Sequence, residues 1–185
     1  MSKQNPKIYV STGGFRGNAR EAIAQIYEFG FRNFELSGGG YDPLYESDQF
    51  LEKICLDYPD SFFQIHNYFP VPHKPFVLNL ASADEEVSNK SIKHIIRAID
   101  LSSNNGITNF SFHAGFCIDP KPSELGRTIE EAKLNKNAQS IFLEHIDFLS
   151  QYANQKSVRL LIENNVCTKG NANRFSRSPF LFSGF

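Results

Sequence analysis

Tryptophan is missing from this chain, methionine occurs once, and the three cysteines, Cys55, Cys117 and Cys167, stand far apart with no Cys-x-x-Cys pair. An odd, scattered set of thiols excludes a disulfide-stapled scaffold and a thiolate metal cluster, and fits a reducing compartment. Charge of one sign is also lacking. Nineteen basic residues face 20 acidic ones, for a formal net charge of -1. That balance gives no general reason to expect a polyanion partner, although a local basic patch stays open. No apolar run is long enough to span a bilayer, and Met1 to Pro6 leads straight towards a strand without a signal-peptide pattern. The expectation is a cytoplasmic protein with no membrane partner. Phosphate-binding fingerprints are absent too. Gly38-Gly39-Gly40 lacks the later glycine of a dinucleotide motif, and no Walker sequence occurs.

What is present is enough chain for one domain with a core, in which 18 phenylalanines supply much of the apolar filling. Strand and helix signals alternate. Lys7 to Thr12 is β-rich. Asn18-Ala-Arg-Glu21 opens a helix as a capping box, and Gly30 closes it. Arg32 to Ser37 is a second strand. Roughly Ser47 to Tyr58 is a helix with Phe50, Leu51, Ile54 and Leu56 as core candidates, and Ser61 to His66 is the third strand. After a Pro-rich loop from Asn67 to Ser82, a capping box at Ser82-Ala-Asp-Glu85 opens a helix to about Asn104, striped by Ile92, Ile95, Ile96, Ile99 and Leu101. Ile107 to His113 is the fourth strand. Thr128-Ile-Glu-Glu131 resembles a third capping box, with helical spacing to about Gln155. Val158 to Glu163 is the fifth strand, and Asn164 to Phe185 shows no clear element.

Strands separated by helices pair in parallel through right-handed crossovers. Side chains of a strand alternate between two faces. Phe34 and Leu36 oppose Glu35 and Ser37; Phe63 and Ile65 oppose Gln64 and His66; Phe110 and Phe112 oppose Asn109, Ser111 and His113; Leu160 and Ile162 oppose Arg159, Leu161 and Glu163. An open doubly wound sheet is usually apolar on both faces. One face polar in strand after strand predicts instead a (β/α) barrel of the TIM type, with helices outside and a polar interior. An open sheet with one solvated face is the alternative.

Three strands end on a residue able to bind a divalent metal: His66, His113 and Glu163. Barrel active sites are built at that rim. Imidazole nitrogen and carboxylate oxygen converging from different strands suit Zn, Mn, Fe or Co. Taken singly, a strand-end His is more often a hydrogen-bonded rim residue, and Glu163 could pair with Arg159. Gly13-Gly14 and Gly38-Gly39-Gly40 at the same rim read as sharp turns before they read as phosphate cradles. Lys169, Arg174 and Arg177 read as a solvated basic loop, and His73, His94 and His145 as structural or exposed.

Several segments resemble the xylose-isomerase-like TIM-barrel superfamily, which includes sugar and sugar-phosphate isomerases and epimerases and the endonuclease IV family. They are Ile65-His66-Asn67-Tyr68-Phe69-Pro70 with Val77-Leu78-Asn79-Leu80-Ala81-Ser82, then Phe110-Ser111-Phe112-His113-Ala114-Gly115, then Leu161-Ile162-Glu163-Asn164. The resemblance implies His66, His113 and Glu163 as metal ligands. It also exposes a departure. Such barrels have eight strands, and only five are legible here, so the expectation is a single, incomplete barrel domain over residues 1–185 with about five βα units. No counterpart to ligands carried on strands six to eight is visible, and open sheet edges predict self-association. The favoured function is a metal-dependent isomerase or epimerase of a small polar sugar or sugar phosphate, with Glu163 at the catalytic centre and Glu35, Gln64 and Asn164 as substrate contacts. The alternatives are an endonuclease IV-like phosphodiesterase acting on abasic DNA, disfavoured by the lack of basic character, and an inactive truncated remnant.

Overall fold

The computed structural model describes residues 8–125, 127, 133–167, 169–174 and 178–183. Five strands alternate with helices: β1 (Val10–Ser11), α1 (Ala19–Glu28), β2 (Asn33–Leu36), α2 (Phe50–Asp57), β3 (Phe62–His66), α3 (Glu85–Asn104), β4 (Asn109–His113), α4 (Ala138–Gln155), β5 (Arg159–Glu163) and a short α5 (Lys169–Arg174). The strands form one sheet in the order β1-β2-β3-β4-β5. Every neighbouring pair is parallel, as helical crossovers require. Among the described residues β1 and β5 are the open edges of this sheet. This is an α/β fold of parallel strands, and no described helix is long and apolar enough to cross a membrane.

The apolar face expected from parity is the one packed against helices. Phe34, Leu36, Ile65, Phe110 and Phe112 are all fully buried there, each contributing about 2 kcal/mol of hydrophobic stabilisation. Ile23 and Ile26 of α1, Leu51 and Ile54 of α2, Ile95 and Ile99 of α3, and Phe142 and Leu149 of α4 complete the same core. The face loses its cover at the β5 edge, where Ile162 is 44% exposed.

Local signals set most boundaries. Asn18 Oδ1 accepts from the Glu21 N–H at 3.1 Å, and Glu21 Oε2 accepts from the Asn18 N–H at 3.0 Å, so the expected capping box forms. Gly30 takes φ 87° just beyond α1, a conformation that costs glycine nothing.

Other expectations need correction. The cap of α3 is Asp84, not Ser82. Asp84 Oδ1 accepts from the Glu86 and Val87 N–H groups, while Ser82 Oγ accepts from the Asp84 N–H one step earlier. Leu56 is 71% exposed. At about 100° per residue it lies roughly 200° from Ile54 and so faces away from the core. The first strand is only Val10–Ser11; Thr12 already begins a tight 3-10 turn, and Ile8 is 73% exposed. The tail is not featureless: α5 forms, and Phe180 makes an antiparallel bridge to Phe116. The capping box at 128–131 lies outside the described residues, as do Lys7 and Arg177.

Candidate metal centre

The parallel register decides which side chains meet. His66 lies opposite Ser111, and His113 opposite Glu163. All four lie on the polar face, because β4 residues two apart point the same way. Each ligand-bearing strand stops at or just beyond the ligand. Asn67 follows His66 with φ 49°, a left-handed conformation that asparagine tolerates. Gly115, two residues past His113, has φ 89°.

His66 Nδ1 lies 2.9 Å from Ser111 Oγ and 3.4 Å from Glu163 Oε1. His113 Nδ1 lies 3.9 Å from the other carboxylate oxygen, Oε2. The two imidazoles stand edge to face, with ring centres 5.3 Å apart. One ligand atom from each of the three residues lies within 4.8 Å of the others. Glu163 thus turns one oxygen to each imidazole. The ion pairing with Arg159 that the sequence leaves open does not occur among the described residues; the carboxylate faces the two histidines instead.

The donor set fits a divalent cation. His113 Nδ1 is a buried ring nitrogen with no hydrogen-bond partner, a cost that a cation would remove. Burial, and secondarily the neighbouring His66, hold the His113 pKa below the ordinary histidine value, against the opposing pull of Glu163 and Glu35. The neutral, ligating form is thereby favoured.

Glu35 and Gln64, both expected on this face, are brought together. Gln64 Nε2 donates to Glu35 Oε2 at 3.1 Å, across paired positions of β2 and β3. Asn164 is not brought in: it is exposed beyond the end of β5. Its neighbour Asn165 is the buried one, donating from Nδ2 to the Gly115 and Leu181 carbonyls at 2.7 and 3.1 Å.

The structure adds one residue that sequence reasoning quoted without a role. Asn79 is fully buried. Its Nδ2 donates to the Ile118 carbonyl and Asp119 Oδ1, and its Oδ1 accepts from the Ala81 and Phe116 N–H groups. It ties the loop after β3 to the loop after β4, and so braces the segment that carries His113. Its place in the Leu-Asn-Leu run, an amide between two core leucines, is the signal the sequence offers.

The remaining histidines are structural or exposed, as expected. His94 donates from Nε2 to the Asn67 carbonyl at 3.0 Å, His145 donates from Nδ1 to the Leu80 carbonyl at 2.7 Å, and His73 is exposed. The glycine run serves packing: the Gly40 N–H donates to the Gly17 carbonyl at 2.7 Å, and a Cβ on Gly39 would sit 3.0 Å from that oxygen. Lys169 of the basic tail is exposed.

Residues 23–177 match the family described as xylose isomerase-like TIM barrel. A probable endonuclease 4 of Petrotoga mobilis is 33% identical over 98 residues, which make up 53% of this chain and 29% of that protein. A D-tagatose 3-epimerase-like protein superposes with a TM-score of 0.61 at 17% identity, over 87% of this chain and 54% of its own. An L-ribulose 3-epimerase gives 0.60 at 16% identity, over 88% and 50%. A Thermus thermophilus protein, solved after soaking with ZnCl2, gives 0.54 at 22% identity, over 86% and 55%. The chain therefore spans about half the length of these barrel structures and under a third of the curated relative; five parallel strands stand among the described residues, where a complete barrel has eight. With its family match running through most of the sheet and helices described above, the chain belongs to the xylose isomerase-like TIM-barrel family.

Proposed function

We propose that this chain carries ligands of a metal-dependent sugar or sugar-phosphate isomerase or epimerase centre, working in a reducing cytoplasm. One observation carries this reading: a second carboxylate, Glu35, stands on the same polar face outside the His66–His113–Glu163 cluster, held by Gln64, which lies two residues before His66 on β3. A carbonyl–hydroxyl rearrangement needs both an electrophile and a separate group to move a proton.

His66, His113 and Glu163 would hold a divalent cation such as Zn, Mn, Fe or Co, which supplies Lewis acidity towards a carbonyl or hydroxyl oxygen when bound. Ser111 Oγ fixes the ring of His66, as outer partners of metal-binding histidines do. Glu163 turns one oxygen towards each imidazole and can also orient substrate. Gln64 keeps one oxygen of Glu35 occupied and directs the other to accept or return a proton. The near-neutral chain suits a small polar substrate. The test is solvent exchange: a ketose panel incubated with the metal-loaded protein in D2O should gain deuterium at the carbon beside the carbonyl. Glu35→Gln should slow that exchange by about a hundredfold without changing metal content. Absence of exchange in a fully metal-loaded protein overturns the reading.

A second reading rests on the likeness to a probable endonuclease 4. In it the same three ligands would hold metal for attack of water on a phosphodiester. Nicking of an abasic duplex by the metal-loaded protein, without any sugar exchange, would establish it.

A further inference from the structure

We infer that His94 of α3 is a positioning residue for His66: by holding the carbonyl of Asn67, it fixes the point at which the chain leaves the ligand-bearing end of β3. For the metal centre this rests on the reading proposed above. Asn67 is gripped on both sides. Its N–H donates to the Ser111 carbonyl at 2.7 Å, and its carbonyl accepts from His94 Nε2 at 3.0 Å. A carbonyl oxygen only accepts, so Nε2 carries the proton. Ser111 is also the residue whose Oγ lies 2.9 Å from His66 Nδ1. One residue of β4 thus meets both the His66 ring and the peptide that follows it, while α3 supplies the opposing grip.

His94 is itself held in place. It is 8% exposed, with the Tyr68 and Phe76 rings centred 6.3 and 5.7 Å from its own. Lys90, one turn earlier on α3, sets its ammonium 4.7 Å over the Phe76 ring. The loop after β3 therefore wraps round this stretch of α3, and the Leu78 N–H donates to Tyr68 Oη at 2.8 Å to close it. Three residues before His94, on the same side of the helix, Ser91 Oγ accepts from the Asn79 N–H at 2.9 Å and donates to the Val87 carbonyl at 2.8 Å. Helix α3 thus holds the loop at both ends, Asn67 through His94 and Asn79 through Ser91.

Packing alone asks only for a buried side chain of this size. The hydrogen bond does more, because of where it ends. Asn67 has φ 49°, and a residue with a Cβ keeps that conformation only where its surroundings fix it. Without His94 it is held on the Ser111 side alone, so the peptide joining it to His66 is free to turn, and the His66 ring turns with it. Ser91 still keeps the far end of the loop, which confines the change to the end that carries the ligand.

Two measurements test this, with circular dichroism as the check that each variant is folded. One is calorimetry with zinc. The other is NMR of the His66 ring nitrogens in the metal-free protein, assigned by their loss in His66→Ala. His94→Leu keeps the bulk and removes the donor; His94→Gln keeps a donor of similar reach. His94→Leu should weaken zinc binding about tenfold and shift or broaden the His66 ring signals. His94→Gln should bring both back to near the wild-type values. If His94→Leu does not fold, His94→Asn, whose amide is too short to span the gap to the Asn67 carbonyl, replaces it with the same expected result. A folded variant without the donor that keeps wild-type zinc affinity and wild-type His66 signals overturns the inference and leaves His94 a packing residue, whatever stability it has lost. Equal loss in His94→Leu and His94→Gln overturns it too, because the hydrogen bond is then not the cause. Zinc that fails to bind the wild type overturns the metal centre instead, and the positioning of His66 by His94 stands or falls on the ring signals of the metal-free proteins.

Discussion

His113 Nδ1 and Glu163 Oε2 face each other across 3.9 Å at the paired ends of β4 and β5, beyond hydrogen-bonding distance. Metal–nitrogen and metal–oxygen bonds of about 2.0 to 2.2 Å can be accommodated between such atoms. Replacing Glu163 by Ala should therefore abolish stoichiometric zinc binding. Calorimetry of the folded variant should show affinity lowered by more than the roughly hundredfold that loss of an outer partner typically costs. Retention of wild-type affinity would remove Glu163 from the ligand set.

The depressed pKa of His113 gives a second check. In the metal-free protein, its imidazole resonances should titrate below the ordinary histidine midpoint of about 6.5, because burial and His66 disfavour the imidazolium. The signs for variants follow from the same causes. Glu163→Gln removes a charge that raises the value and should push the midpoint lower; His66→Ala removes one that lowers it and should push the midpoint up. NMR titration of the three proteins measures both shifts. Opposite signs would show that the ring is not in the environment described here.

Much of this is legible in the sequence, for a physical reason. Strand parity is a strict period of two, so Glu35, Gln64, Ser111, His66, His113 and Glu163 fall on one face by sequence alone, and the register brings them together. Apolar periodicity locates the helices. What escapes are features set by tertiary contacts. Leu56 satisfies composition and fails the angle. Asp84 and Ser82 both bond backbone N–H groups within one short turn, and which of them caps α3 depends on the path of the chain. Asn165 and Asn164 differ in nothing but position, yet one is buried against Gly115 and the other is exposed. Asn79 works through loops distant in sequence, which no local pattern encodes.

That brace can be cut from either side. A Cβ on Gly115 would lie 2.8 Å from Asn79 Oδ1, at a φ that favours glycine. Gly115→Ala should cost about 2 kcal/mol or more through strain and displacement of the amide. Asn79→Ala leaves the Ala81 and Phe116 N–H groups and the Ile118 carbonyl short of a partner and should cost about 3 kcal/mol. Because the loop after β4 shifts with them, both variants should also weaken zinc binding. Denaturant unfolding beside calorimetry separates the two effects. Unchanged zinc affinity in destabilised variants would confine Asn79 to a folding role.

Stability should fall towards acid pH for a reason other than titration of the proposed metal ligands. Burial lowers the pKa of His94 from 6.5 to about 4, against the hydrogen bond to the Asn67 carbonyl, which favours the charged ring. Its folded-state value lies below its unfolded one, so its contribution is fully present above about pH 6.5. It drains away as pH falls through the window to about 4, where the unfolded chain takes up a proton that the folded chain resists. That difference corresponds to about 3 kcal/mol across the window. Urea unfolding of the metal-free protein at about pH 7 and about pH 4.5 should show most of that loss. His94→Gln, with no proton to take up, should be less stable at neutral pH yet lose less on acidification. If the wild type and the variant lost stability in parallel, the acid sensitivity would belong to other groups, and His94 would be no more than a buried hydrogen-bond donor.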